Sequence, residues 1–86
     1  MSDVADVIRS FVVETFLFGD GSAIENGDSL RQRGVVDSTG VLELIGFLEE
    51  RYGLTVADAE LVPENFDSIE RVAGFVQRRL AETKGS

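Results

Sequence analysis

In the stretch "GVVDSTGVLELIGFLEERYG", Gly34 to Gly53, a serine at position 38 follows Asp37 at the point where a glycine-ended loop turns into an amphipathic pattern. A serine hydroxyl becomes a nucleophile when a neighbouring base takes its proton, and the usual bases are His, Lys or an N-terminal amine. This chain has no histidine and no cysteine, and its one lysine is Lys84 near the end. Self-contained acyl transfer is therefore not expected. Glu49 and Glu50 are neighbours in a helical pattern and point in different directions, so they do not form a general acid and base pair. An EF-hand loop counted from Asp20 would need an oxygen ligand, a glycine and a glutamate where the chain has Ile24, Glu25 and Arg31. No metal site is expected. "GDGSAIENG" lacks the GK[ST] ending of a phosphate loop and no strand precedes it.

Without a base, such a serine can still carry a covalent group. The unpaired N–H groups and the positive dipole end of a helix start favour negative charge, so a phosphate ester on the Ser38 hydroxyl would be well placed. The alternative is that Ser38 is an N-cap, in which case Ser38→Ala loses only cap energy of about 1 kcal/mol.

The elements that position this serine are legible from hydropathy. Asp3 to Leu17 carries Val4, Val7, Ile8, Phe11 and Val12 at the spacing of one helix face. "FGDGSAIENGDS" favours turns and opens a loop running to about Asp37, longer than most connections. Leu30, Val35 and Val36 are expected to pin it to the core. The second helix starts near Asp37 or Ser38, runs through Val41, Leu44, Ile45, Leu48 and Tyr52, and stops at Gly53. "LTVADAE" reads as extended or turn-like, and "LVPENF" as one short helical turn with Pro63 near its start. Asp67 with Glu70 matches a capping box for a last helix with Ile69, Val72, Ala73, Val76 and Leu80 on its apolar face. The expected fold is all-α: a four-helix bundle with three main helices, one short helix and a long loop between the first and second. Residues 1–81 form the single domain and 82–86 a frayed tail.

With 86 residues, 43% apolar and one proline, the chain has room for one packed domain. The absence of cysteine fits a reducing compartment, the start has neither a signal nor a transit pattern, and no apolar run spans a bilayer. A cytoplasmic location is expected, with no membrane partner. Net charge is −8, which argues against nucleic acid and disfavours self-association, so a monomer is expected. The charge is concentrated: residues 35–70 hold nine acids and the single base Arg51. This reads either as a solvated surface that keeps the protein soluble or as a docking face for basic partners. The six phenylalanines are scattered and read as core or partial surface.

"GVVDSTGVLELIGFLEERYGLTV", with "DSLRQRG" before it and "VPENFDSIERVAGFV" after it, resembles the acyl and peptidyl carrier protein family over most of the chain. The resemblance implies a carrier that is not itself an enzyme. In that family the serine of "DS", here Ser38, receives a 4'-phosphopantetheine arm from coenzyme A through a separate phosphopantetheinyl transferase. The arm's thiol holds acyl or aminoacyl groups as thioesters, supplied by an adenylating or acyltransferase loading enzyme and taken by a downstream acceptor. Asp37 matches the aspartate that presents the site to the transferase, and Thr39 lies next to it. Partner contacts in the family fall on the second helix and the following loop, which brings Leu42, Glu43, Gly46, Glu50 and Val56 into view. The chain departs from fatty-acid carriers at Thr39, where leucine is common, and at Gly40 and Gly46, which cost roughly 1 kcal/mol each against alanine in a helix. "DSTG" is more similar to discrete carriers of specialised pathways, of non-ribosomal peptide or polyketide type, and to the "DSM" site of D-alanyl carriers. With no flanking catalytic domain, the chain is expected to act in trans. The alternatives are a D-alanyl carrier for cell-envelope modification and, outside the class, an acidic helical adaptor without an arm.

Overall fold

The computed structural model describes the backbone of residues 3–85 and the side chains of residues 3–82. Among these residues there are four α-helices and no strand: α1 Val4–Phe16, α2 Ser38–Tyr52, α3 Pro63–Phe66 and α4 Ile69–Gly85, with 3-10 turns at Gly21–Ala23 and Asp58–Glu60. Of the expected tail, Ser86 and the side chains of 83–85 lie outside the described residues.

The expected stripes meet in one core. Ile8 and Val12 of α1, Leu44 and Leu48 of α2, and Ile69, Val72 and Val76 of α4 are fully buried. α1 packs along α4. The Phe11 ring stacks on Phe47 at 4.2 Å between centroids and meets Phe16 edge-on at 6.1 Å. Because Phe11 faces Phe47 while Phe16 reaches Gly40, α1 and α2 run in opposite directions. The end of α1 thus lies beside the first turn of α2.

α1 stops where the Leu17 and Gly19 N–H groups both donate to the Val13 carbonyl. Between them Phe18 adopts φ +53°, a left-handed conformation that costs an ordinary residue roughly 1–2 kcal/mol. Its side chain is 95% exposed.

The loop to α2 is long but tied on both sides. On the α1 side, Arg9 donates from Nη1 to Asn26 Oδ1 at 2.9 Å, and from Nη2 to the carbonyls of Ile24, at 2.8 Å, and Gly21. Ile24, absent from the expected pins, is 2% exposed under this clasp. On the other side the Ser29 hydroxyl donates to the Asp67 carboxylate at 2.8 Å, the Leu30 N–H to the Asp67 carbonyl, and the Glu70 N–H to the Asn26 carbonyl. Leu30 and Val36 are buried and Val35 is half-buried. Residues 29–34 make a helical turn, entered by a Gln32 N–H bond to Ser29 Oγ and left through Gly34 at φ +71°.

These ties correct one expectation. Asp67 does not cap α4, because its carboxylate accepts from Ser29; the buried Ser68 takes the role, accepting at Oγ from the Arg71 N–H at 3.1 Å. α3 starts at Pro63, where the missing N–H costs nothing.

Candidate functional site

The loop hands the chain to α2 through Asp37, which is extended at φ −100°, ψ −172°. Its Oδ1 accepts from the Gly40 N–H at 2.7 Å, satisfying one of the unpaired donors of the helix start. Asp37 is therefore the N-cap and Ser38 the first helical residue. The cap role considered for Ser38 is not available to it: one residue further on, its hydroxyl is exposed and makes no hydrogen bond among the described residues. The neighbour does the structural work and leaves the hydroxyl free.

Beside Ser38 lies a cavity of about 500 Å³. Leu30 and Val36 of the loop, Val41 of α2, and Leu61, Val62, Pro63 and Phe66 at α3 form its apolar wall, and Arg31, Asp37, Ser38 and Asp67 its polar edge. The sequence reading missed this wall, because loop and α3 meet only in three dimensions. The apolar pair Leu61–Val62 ahead of Pro63 was the available signal.

Thr39, Leu42, Glu43, Gly46 and Glu50 are all exposed, and their spacing of three, four or seven residues places them on one outward face of α2. Leu42 is 61% exposed. Neither Glu43 nor Glu50 has an ion-pair partner among the described residues. Glu49 points elsewhere: its Oε2 accepts from the Val56 N–H at 2.9 Å, and Val56 is half-buried against the core. Gly40, one of the two departures from the fatty-acid carriers that cost helix propensity, is buried and receives Phe16 from within the chain. Only Gly46 is open to solvent, with nothing near its Cα hydrogens.

Glu60, beyond this face, has its carboxyl held below its ordinary value of 4.5, first by the Ala57 N–H it accepts and then by Arg79. No described helix is long and apolar enough to cross a membrane. Among the described residues no cluster of acids is arranged to hold a metal ion.

No protein-family model matches the chain. It is 34% identical over 74 residues to the D-alanyl carrier protein of Streptococcus suis (strain 98HAH33), covering 86% of this chain and 91% of that protein. It is 36% identical over 53 residues to the D-alanyl carrier protein of Abiotrophia defectiva, covering 62% of this chain and 67% of the relative. Among solved structures, apo KstB-PCP, a carrier protein, superposes with a TM-score of 0.72 at 39% identity, over 86% of this chain and 82% of that one. The chain belongs to the carrier protein family. Carrier proteins are not enzymes; other enzymes modify and load them, and this chain is a protein of that kind.

Proposed function

We propose that the protein carries an acyl or aminoacyl group as a thioester on a 4'-phosphopantetheine arm attached to Ser38, and passes it between enzymes of a specialised biosynthetic pathway. The observation that supports this most directly is the division of labour at the start of α2. Asp37 caps the helix, and the adjacent Ser38 is exposed and next to a cavity, its hydroxyl without a hydrogen bond among the described residues. In the attachment step the Ser38 oxygen forms a bond to the phosphorus bearing the pantetheine of coenzyme A. The pyrophosphate bridge breaks, adenosine 3',5'-bisphosphate leaves, and the hydroxyl proton passes to the transferase. The arm supplies the thiol that this cysteine-free chain lacks. The outward face of α2, with exposed Leu42 and with Glu43 and Glu50 unpaired among the described residues, suits partners that offer an apolar contact and basic residues beside it. Salt weakens such docking, which keeps it transient.

A second reading shares the arm and differs in cargo: a carrier of D-alanine. It is favoured by the two D-alanyl carrier relatives, whereas the 39% identity to KstB-PCP favours the first. The test is intact mass after incubation with coenzyme A, magnesium and a broad-specificity transferase, for wild type and Ser38→Ala. A gain of one phosphopantetheine in the wild type alone is expected. The holo protein is then offered to a D-alanine-activating ligase and to a panel of other adenylating enzymes, and the acyl mass gained separates the two cargoes. No first gain, with the protein folded and the transferase active on another carrier, returns the chain to the armless adaptor.

A further inference from the structure

Arg31 sits on the helical turn of residues 29–34 and is the only cation lining the cavity beside Ser38. Its guanidinium is exposed and makes no hydrogen bond or ion pair among the described residues. The other loop cation is committed: Arg33 pairs with Asp28 at 3.3 Å. Both acids at the cavity edge are also engaged, Asp37 by the Gly40 N–H and Asp67 by the Ser29 hydroxyl. Arg31 therefore lines the same cavity as two carboxylates and pairs with neither among the described residues.

A phosphodiester on Ser38 would place a further negative charge beside Asp37, in the segment that already holds nine acids against one base. A planar guanidinium matches two phosphate oxygens at once, which a lysine cannot do. Resting on the attachment of the arm at Ser38, we infer that Arg31 is a positioning residue for that arm. Its guanidinium pairs with the phosphodiester and lays the first segment of the arm across the cavity mouth. The pair is solvent-exposed, so it biases the arm's direction without locking it, and high salt releases it.

The test compares wild type, Arg31→Gln, Arg31→Lys and Arg33→Gln, each converted to the holo form and checked by intact mass. The readouts are the phosphorus-31 resonance of the phosphodiester and the nitrogen-15 resonance of the Arg31 Nε. The inference expects the Nε resonance to move between apo and holo wild type. It also expects a phosphorus shift on Arg31→Gln that disappears at high salt, partial retention in Arg31→Lys, and no change in Arg33→Gln. Full conversion of every variant with an unmoved phosphorus resonance in Arg31→Gln overturns the role of Arg31 and leaves the attachment intact. So does slower conversion of Arg31→Gln with an unmoved resonance, which assigns the arginine to the transferase instead. A wild type that gains no phosphopantetheine overturns the attachment itself, and this inference with it.

Discussion

The edge of the Phe16 ring lies against the backbone of Gly40, so close that a Cβ there would stand 3.0 Å from Phe16 Cε1 and 3.2 Å from Asp37 Oδ1. The contact joins the end of α1 to the first turn of α2, and it also confines the carboxylate that caps α2. Gly40→Ala gains about 1 kcal/mol of helix propensity, yet it overpacks a site where the usual cost is about 1–3 kcal/mol. A net loss of about 1 kcal/mol is expected in urea unfolding. Gly46→Ala, with open space around it, should gain about 1 kcal/mol. Combined with Phe16→Ala, Gly40→Ala should lose the part of its penalty that comes from the ring, leaving only the contact with Asp37 Oδ1, since contacting residues couple.

Adjacent residues at the start of α2 should respond differently to truncation. Asp37→Ala strips the Gly40 N–H of its partner and should cost about 1 kcal/mol, which lowers the melting temperature of a domain this size by about 4–8 °C. Ser38→Ala removes an unbonded, exposed hydroxyl and should stay within about 0.5 kcal/mol of wild type. Equal losses for the two would contradict the assignment of the cap.

Arg9 gathers three loop acceptors with one fork. Arg9→Met leaves them unpaired and should cost about 1.5–3 kcal/mol, the range for hydrogen bonds to a charged group. Limited proteolysis should find faster cleavage between residues 17 and 36. Arg9→Lys should restore little, because a single ammonium cannot reproduce the fork.

The pH dependence has a defined sign at Glu60. Its carboxyl is held below the ordinary 4.5 in the folded protein. Its contribution is therefore present above that value and is lost as pH falls through the lower folded value. Glu60→Gln should flatten the acid limb of a stability profile below about pH 4.5 while leaving the neutral and basic limbs parallel to wild type. Added salt should narrow the difference, because the group is only half-buried.

The long helices were legible from their periodic apolar stripes, α2 also from its stop at Gly53 with φ +66°, and the short α3 from Pro63 at its first position. Ser38, the proposed attachment residue, was singled out in the sequence by the Asp37–Ser38 pair and the family resemblance it carries, and the structure leaves it exposed at the cavity edge. The loop's conformation was not, because its determinants are distant in sequence: Ser29 with Asp67, and Arg9 with Asn26. For the same reason Asp67, a plausible cap in isolation, gave way to Ser68. Phe18 was hidden for a different reason. "FGDG" points to Gly19 as the left-handed residue, and the chain uses both positions. Arg31 is one of two loop cations in the sequence, and only the structure shows its guanidinium unpaired among the described residues while Arg33 is partnered.

The tie between loop and α3–α4 junction has a bearing on synthesis. Asp67 and Glu70, which hold residues 26–30, and Leu61 to Phe66, which wall the cavity, all belong to the later part of the chain. On the ribosome Ser38 emerges well before them, with α1 and α2 already able to form. At that stage the serine is present but its surroundings are not. If Ser38 takes the arm as proposed, a transferase that reads the assembled loop and cavity, and not the Asp37–Ser38 pair alone, would leave nascent and truncated chains unmodified.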